Sequence, residues 1–402
     1  MGGVNVLDRP GARELAVRGG KPVNASPVPM ISVKLDESDI DAAIGVLRSG
    51  MLAMGKNCLA FEERFGKMSE AKHSLSCANG TCALQLAYGA LIKPGDDVLV
   101  PGWTYIATVS MVVAAGANPI FCDVDPKTFN IDVKDAAKRI TPRTTAIACT
   151  HLYGNPVDIE AVERLADEHG LRVIYDAAQA HLATYKGRGI GAYGDAVTYS
   201  FYPTKNMTTG EGGMVTTNDD DTAMEMKLLR SHGETSKYIH GKIGFNYRMS
   251  DIEGAIGNSQ LEQIEARTEQ RRANARALDA AIAEIEGLHA PVSSEHSEHA
   301  YHLYAVRIDP GAFGVGDDPA EMASFRDAFC EALKGEGVMT AVHYPRPLTR
   351  QPVFERTGIE HLPVCDRLAG TLFCVPIHHN LTDGQVAGVG EALKKVAGAL
   401  RA

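Results

Sequence analysis

The chain has 402 residues, 45% of them hydrophobic, which is enough for two domains with sizeable cores. Its formal net charge of −10 argues against nucleic acid or an anionic membrane surface as a partner, since either would select for clustered Lys and Arg. No stretch approaches the ~20 consecutive apolar residues of a spanning helix and the N-terminus has no signal-like apolar core, so the cytoplasm is the expected location.

Residues 1–30 carry Gly19-Gly20-Lys21-Pro22, Pro27 and Pro29 and read as an extended N-terminal arm. Ile40, Ala43, Ile44 and Leu47 recur at helical spacing, so a helix is expected over 36–47 with Asp36 or Ser38 as its cap. A second helix is expected over 58–68. At Ser76-Cys77-Ala78-Asn79-Gly80-Thr81 small residues turn directly into a helical apolar pattern. Free amides at such a helix start, together with the Thr81 hydroxyl, suit a phosphate, although Asn-Gly-Thr also serves as an ordinary N-cap and turn.

Strand and helix patterns then alternate over 97–101, 106–115, 118–123, 145–150, 158–169 and 172–176. This rhythm implies a mainly parallel sheet with covering helices, whose functional groups gather at the C-terminal ends of the strands. Trp103, Thr150 with His151, Asp176, and Ser200 with Lys205 all fall at such ends. Trp103 is the single tryptophan, able to stack on an aromatic ring or to fill a core edge. Lys205 lies on a turn between a strand pattern at 196–201 and a glycine-rich segment leading into another at 214–217. Alone that lysine carries little information. Paired with a carboxylate closing a buried strand, it suggests an aldehyde cofactor held by Lys205 and tuned by Asp176.

Beyond the lysine, the polar cluster around Asn246 and Arg248 opens a helix capped near Ser250, with Glu253 three residues on. That helix is expected to run over about 250–288 and to connect two domains. A break at 291–298 ends it, and alternation over 301–306 opens a smaller α/β domain. The organisation expected is an arm at 1–30, a large domain at 31–260 and a small C-terminal domain at 261–402. Eight scattered cysteines, with neither a CxxC pair nor His/Cys ligands at zinc spacing, are expected to be reduced thiols, and no metal site is expected.

Eight segments in order strengthen the reading: Asn79-Gly80-Thr81, Pro101-Gly102-Trp103-Thr104-Tyr105, Asp123-Val124-Asp125, Asp176-Ala177-Ala178-Gln179-Ala180-His181, Ser200-Phe201-Tyr202-Pro203-Thr204-Lys205, Gly210-Glu211-Gly212-Gly213, Asn246-Tyr247-Arg248 and His343-Tyr344-Pro345. With them the chain closely resembles the DegT/DnrJ/EryC1/StrS family of pyridoxal-phosphate aminotransferases, from about Leu15 to its C-terminus. The resemblance implies the type I, aspartate aminotransferase-like α/β fold, with a large mostly parallel sheet domain and a smaller C-terminal α/β domain. It implies pyridoxal 5'-phosphate as cofactor, with Lys205 as covalent anchor and acid/base and Asp176 as the partner of the pyridine nitrogen. Gly80, Thr81 and Ser200 would hold the phosphate, Trp103 would stack on the ring, and Gln179 would lie near its face or phenolic oxygen. Asn246 resembles the residue that reaches the phosphate of the neighbouring subunit's cofactor, which implies a homodimer with shared active sites.

The activity implied is ping-pong transfer of an amino group from glutamine or glutamate to a cyclic ketone, either a keto-cyclitol such as an inosose or a keto-deoxysugar. The setting implied is aminocyclitol, amino-sugar or natural-product biosynthesis. Leu15-Ala16-Val17-Arg18-Gly19-Gly20 resembles the arm of cyclitol and aminobenzoate-type members, which tilts the acceptor away from nucleotide-linked keto-sugars. These remain an alternative, as does a dehydratase or aromatising synthase of the same fold, although Lys205 argues against dehydratases that carry His there. A non-catalytic regulatory relative is a third reading, opposed by an intact Asp176 and Lys205. The chain departs from the family at Thr349, where a His is expected. Spacing fixes no role for Tyr153, His151, His181, Arg248, His343 or Arg346.

Overall fold

In the computed structural model, which describes Leu7, residues 9–357 and residues 361–401, seven strands form the sheet that carries the site. They are β1 (His73–Cys77), β2 (Asp97–Pro101), β3 (Asn118–Cys122), β4 (Thr144–Thr150), β5 (Arg172–Asp176), β6 (Ala196–Ser200) and β7 (Gly213–Thr217). Their order is β1-β7-β6-β5-β4-β2-β3. From β6 to β3 every neighbouring pair is parallel, and only β7 runs against its two neighbours. β2, β6 and β7 are buried at every residue, as a sheet covered on both faces requires, which is why these strands read as apolar runs rather than as alternation.

The helices that position the site are α1 (Glu37–Ser49), α2 (Lys56–Ser69), α3 (Gly80–Leu91) and α4 (Ala107–Ala114). Asp36 rather than Ser38 caps α1, in a reciprocal box with Asp39. Phe201, just before the lysine turn, packs its ring on Phe61 at 5.0 Å and Phe65 at 5.4 Å between centroids. Both phenylalanines lie on α2, so the turn is tied to a covering helix through fully buried aromatic rings.

Two features differ from the sequence expectation. In place of one helix over 250–288 the chain forms α5 (Asp251–Leu261) and α6 (Ile264–Ala283). The N-terminal segment, expected as an extended arm, winds into short 3-10 turns at Pro10–Glu14 and Ala16–Arg18. Its Ala12, Leu15 and Val28 are buried in a core with Phe325, Phe329 and Leu393, because apolar side chains spaced along a short segment gain more from burial than from extension.

The chain divides into two compact units. One comprises residues 33–268 and 293–300 and holds the seven-stranded sheet; the other comprises the described residues of 1–32, 269–292 and 301–402. The second contains a three-stranded sheet in which β8 (Leu288–His289) and β10 (Leu372–Val375) flank β9 (Tyr304–Ile308). Helices Pro319–Gly335 and Asp383–Ala399 supply much of its core. Among the described residues no helix is long and apolar enough to cross a membrane.

Candidate active site

β5 delivers Asp176 to the C-terminal edge of the sheet, where the side chain is only 5% exposed. Its Oδ2 accepts a hydrogen bond from Thr108 Oγ1 at 2.7 Å and its Oδ1 accepts one from the Ala178 amide at 3.0 Å. On balance the carboxyl pKa is raised: burial pushes it up more than the two hydrogen bonds and the nearby charge of Lys205 pull it down.

Lys205 sits on the turn that follows β6. The turn is built from its own backbone: Lys205 N–H donates to Tyr202 O at 2.9 Å, Thr209 N–H to Phe201 O at 3.1 Å, and Phe201 N–H to Gly212 O at 2.8 Å. Thr208 Oγ1 also donates to Phe201 O at 2.8 Å, and Asn206 Nδ2 donates to Ala300 O at 2.9 Å. Against this fixed frame the Lys205 amine donates no hydrogen bond to any described residue. Burial lowers its pKa to about 8, with the charge of Asp176 opposing the fall. An amine with a lowered pKa and no partner, beside a buried carboxylate, is equipped to act as nucleophile and base.

The start of α3 meets the ends of β6 and β7. Asn79 caps the helix, its side chain accepting from Cys82 N–H at 2.9 Å. The amides of Gly80 and Thr81 donate to no described residue, as the first turn of a helix leaves them. A Cβ on Gly80 would lie 2.7 Å from Ser200 Cβ and 3.1 Å from its Oγ, and one on Gly213 would lie 2.3 Å from Asn79 O. Glycine is required at both positions because three backbone segments converge there. Two free amides at a helix N-terminus, with the Thr81 and Ser200 hydroxyls beside them, form a cradle whose chemistry fits a phosphate.

Trp103 follows β2 and is 1% exposed. Its Nε1 donates to Tyr153 OH at 3.0 Å, and Tyr153 N–H donates to Gln179 Oε1 at 2.7 Å, so Trp103, Tyr153 and Gln179 form one linked group. Tyr153 adopts a left-handed backbone, φ 58°, a conformation that surrounding structure must hold in place for a bulky residue. Asn246 stands apart. It is exposed, its backbone bridges to Ser231, and no hydrogen bond or ion pair joins it to the other expected site residues.

His151 is part of the core. Its ring stacks on Tyr175 at 4.9 Å and 26°, its Nδ1 accepts from Val157 N–H at 3.1 Å, and burial lowers its pKa to about 3. It therefore stays neutral and contributes its backbone N–H, which donates to Asp176 O at 2.9 Å. His181 is likewise buried, with the rings of Phe65, Tyr199 and Phe201 around it. His343, Arg346 and Thr349 belong to the other compact unit. Thr108 is absent from the sequence reading and Thr104 appears there only within a matched segment, with no role: a threonine in an apolar helix start carries no signal until its partner Asp176 is placed.

Known proteins resemble this chain over most of its length. A pleiotropic regulatory protein of Geobacillus stearothermophilus is 36% identical over 356 residues, covering 87% of this chain and 91% of that one. The GDP-perosamine synthase of Caulobacter vibrioides is 36% identical over 382 residues, covering 92% of this chain and 99% of that enzyme. The crystal structure of S. venezuelae DesV matches with a TM-score of 0.85 at 34% identity, covering 93% of this chain and 99% of the other. With residues 33–394 matching its pattern, the chain belongs to the DegT/DnrJ/EryC1/StrS aminotransferase family, enzymes of amino-sugar biosynthesis that work with pyridoxal phosphate.

Proposed function

We propose that this enzyme moves an amino group from glutamate or glutamine to the ring ketone of a keto-deoxysugar or keto-cyclitol, in a ping-pong cycle within a homodimer. The observation that carries the reading is the Lys205 amine, unpartnered, lowered to a pKa of about 8 and set near the buried Asp176. Gly80, Thr81 and Ser200 would hold the phosphate of pyridoxal phosphate, Trp103 and Gln179 would bracket its ring, and Asp176 would hold a proton on its pyridine nitrogen. When bound, the cofactor supplies an aldehyde that accepts the amine and a ring that drains the negative charge left by proton removal.

The protein's own work is proton handling. At pH 7 a lysine with a pKa of about 8 is neutral in about one molecule in ten, enough for a base that is regenerated each turnover. Lys205 Nζ would take the α-proton of the amino donor and give it to the carbon that was the cofactor's aldehyde. In the second half it removes and redelivers a proton so that the former ketone carbon gains hydrogen. Hydrogen bonds from Thr108 and the Ala178 amide to the Asp176 carboxylate oppose the rise in its pKa that burial brings. The exposure of Asn246 in a single chain supports its reach toward a second subunit's cofactor.

A second reading, in which the acceptor is a nucleotide-linked keto-sugar, is supported by the relation to GDP-perosamine synthase. The intact pair of Lys205 and Asp176 supports catalysis over the purely regulatory role that the name of the Geobacillus relative carries. The test is to load purified protein with cofactor and add glutamate or glutamine, then keto-cyclitols, free keto-sugars and nucleotide-linked keto-sugars in turn. Loss of the visible cofactor band with donor and its return with one acceptor class identifies the substrate. A protein that gains no band, or a Lys205→Ala variant with full turnover, sinks the proposal.

A further inference from the structure

We infer that the hydroxyls of Thr150, Thr104 and Thr108 form a one-way hydrogen-bond chain that holds Asp176 as a carboxylate facing the cofactor, making Thr108 a positioning residue of the reaction. The inference rests on the proposed role of Asp176 toward the pyridine nitrogen.

The chain is continuous. Thr150 Oγ1 lies 2.8 Å from Thr104 Oγ1, Thr104 Oγ1 lies 3.1 Å from Thr108 Oγ1, and Thr108 Oγ1 lies 2.7 Å from Asp176 Oδ2. The three threonines are 5%, 2% and 0% exposed. They come from three places, the end of β4, the loop after β2 and the first turn of α4. Tyr88 OH donates to Thr108 O at 2.7 Å and fixes that turn.

The direction of the chain follows from counting protons. An ionised carboxylate only accepts, so the Thr108 proton must point at Asp176. The Thr108 oxygen is then free to accept from Thr104, and the Thr104 oxygen from Thr150. Every hydroxyl proton has an acceptor, and the only unfilled capacity along the chain is in oxygen lone pairs. Were Asp176 protonated and donating to Thr108, each proton would turn the other way, and the Thr150 proton would have no acceptor among the described residues. A buried donor without an acceptor is costlier than an acceptor with a spare lone pair. The threonine chain thus disfavours a proton on Oδ2, and the Ala178 amide donating to Oδ1 at 3.0 Å disfavours one there; together they favour the ionised carboxylate, and successive hydroxyls polarise one another in that sense. Burial pushes Asp176 the other way, so a carboxylate this enclosed needs such a device to keep a positive pyridine nitrogen opposite it.

The test uses holoenzyme of wild type, Thr108→Val, Thr108→Ser and Thr104→Val, following kcat, KM for the amino donor and the pH midpoint of the visible cofactor band. Thr108→Val removes a hydrogen bond to a charged group. The expected result is a kcat about 10- to 100-fold lower with KM changed less than about threefold. A more weakly held proton on the ring nitrogen repels the proton at the lysine-linked nitrogen less, so the band's midpoint should rise by about one pH unit. Thr108→Ser should restore both values, and Thr104→Val should fall between, since it keeps the last link and removes the one that polarises it. If Thr108→Val is insoluble, Thr104→Val carries the same test. A wild-type midpoint and kcat in Thr108→Val, or a serine variant no better than valine, overturns the inference. If at the same time Asp176→Asn is inactive, only the threonine chain falls; if wild type forms no visible band, the proposed function falls and takes this inference with it.

Discussion

Replacing Lys205 by Met should stabilise the apoprotein. The lysine pKa falls from 10.5 to about 8 through burial, so below that pH the folded state must keep a charged amine away from water. Each factor of ten in the ionisation equilibrium is worth about 1.4 kcal/mol, which puts the cost near roughly 3 kcal/mol. Lys205 is half-buried rather than sealed, and discounting for solvent leaves about 2 kcal/mol. The sign with pH follows from linkage. The folded pKa lies below the unfolded one, so between about pH 8 and 10.5 the unfolded chain binds more protons and wild-type stability rises with pH. The advantage of Met is therefore full below about pH 8 and gone by about pH 10.5. Urea unfolding of both apoproteins at neutral pH and at about pH 9.5 reads this directly, with a gain of about 2 kcal/mol shrinking to under about 1. A Met variant that is no more stable at neutral pH, or whose gain does not change with pH, refutes the claim that Lys205 is held charged at a cost for the sake of activity.

Gly80→Ala places a methyl 2.7 Å from Ser200 Cβ, so it should weaken cofactor binding at least about tenfold and lower stability by about 1–3 kcal/mol, read by titration of the visible band and by thermal unfolding. Trp103→Phe keeps a ring but leaves Tyr153 OH without the Nε1 donor; a loss of about 1 kcal/mol with the cofactor band retained is expected. Because Trp103 is the only tryptophan, cofactor binding should quench nearly all indole emission of the wild type, and unquenched emission would argue against stacking. Glu336→Ala removes a buried carboxylate that accepts from Ala16 N–H at 2.8 Å, Val23 N–H at 3.0 Å and Lys395 Nζ at 2.9 Å. It should cost about 3 kcal/mol and expose the first thirty or so residues to limited proteolysis.

The parts of this molecule that sequence reveals are those whose partners are near in the chain. Asp36 and Ser250 cap their helices using residues three positions on, and the strand patterns before Asp176 and Lys205 are short apolar runs with punctuated ends. The break between α5 and α6 has no such mark: Leu261-Glu262-Gln263-Ile264 contains neither Gly nor Pro. Its cause is tertiary. Gln260 Nε2 donates to Asp39 Oδ2 at 2.6 Å, and Arg267 reaches both Gln260 Oε1 at 2.8 Å and Asp36 Oδ2 at 2.7 Å. These bonds reach back to α1 and its cap, more than two hundred positions away along the chain. The N-terminal segment was illegible for the same reason, since the group that takes its amides, Glu336, lies more than three hundred positions away.

The site divides along the same line. Lys205 and Asp176 declare themselves by residue type at strand ends, and Gly80-Thr81 by a turn entering a helix. Which state those groups occupy is decided elsewhere. The charge on Asp176 depends on Thr108, 68 positions upstream, and through Thr104 on the last residue of β4. The lowered pKa of Lys205 depends on the enclosure around a turn held by Phe201, Thr208 and Asn206. A variant that keeps every motif residue but loses the threonine hydroxyls would pass any reading of the sequence, yet would present a carboxylate less able to hold its charge. On the proposed reading, motif residues define which atoms react, and distant, chemically ordinary residues define how readily they do so.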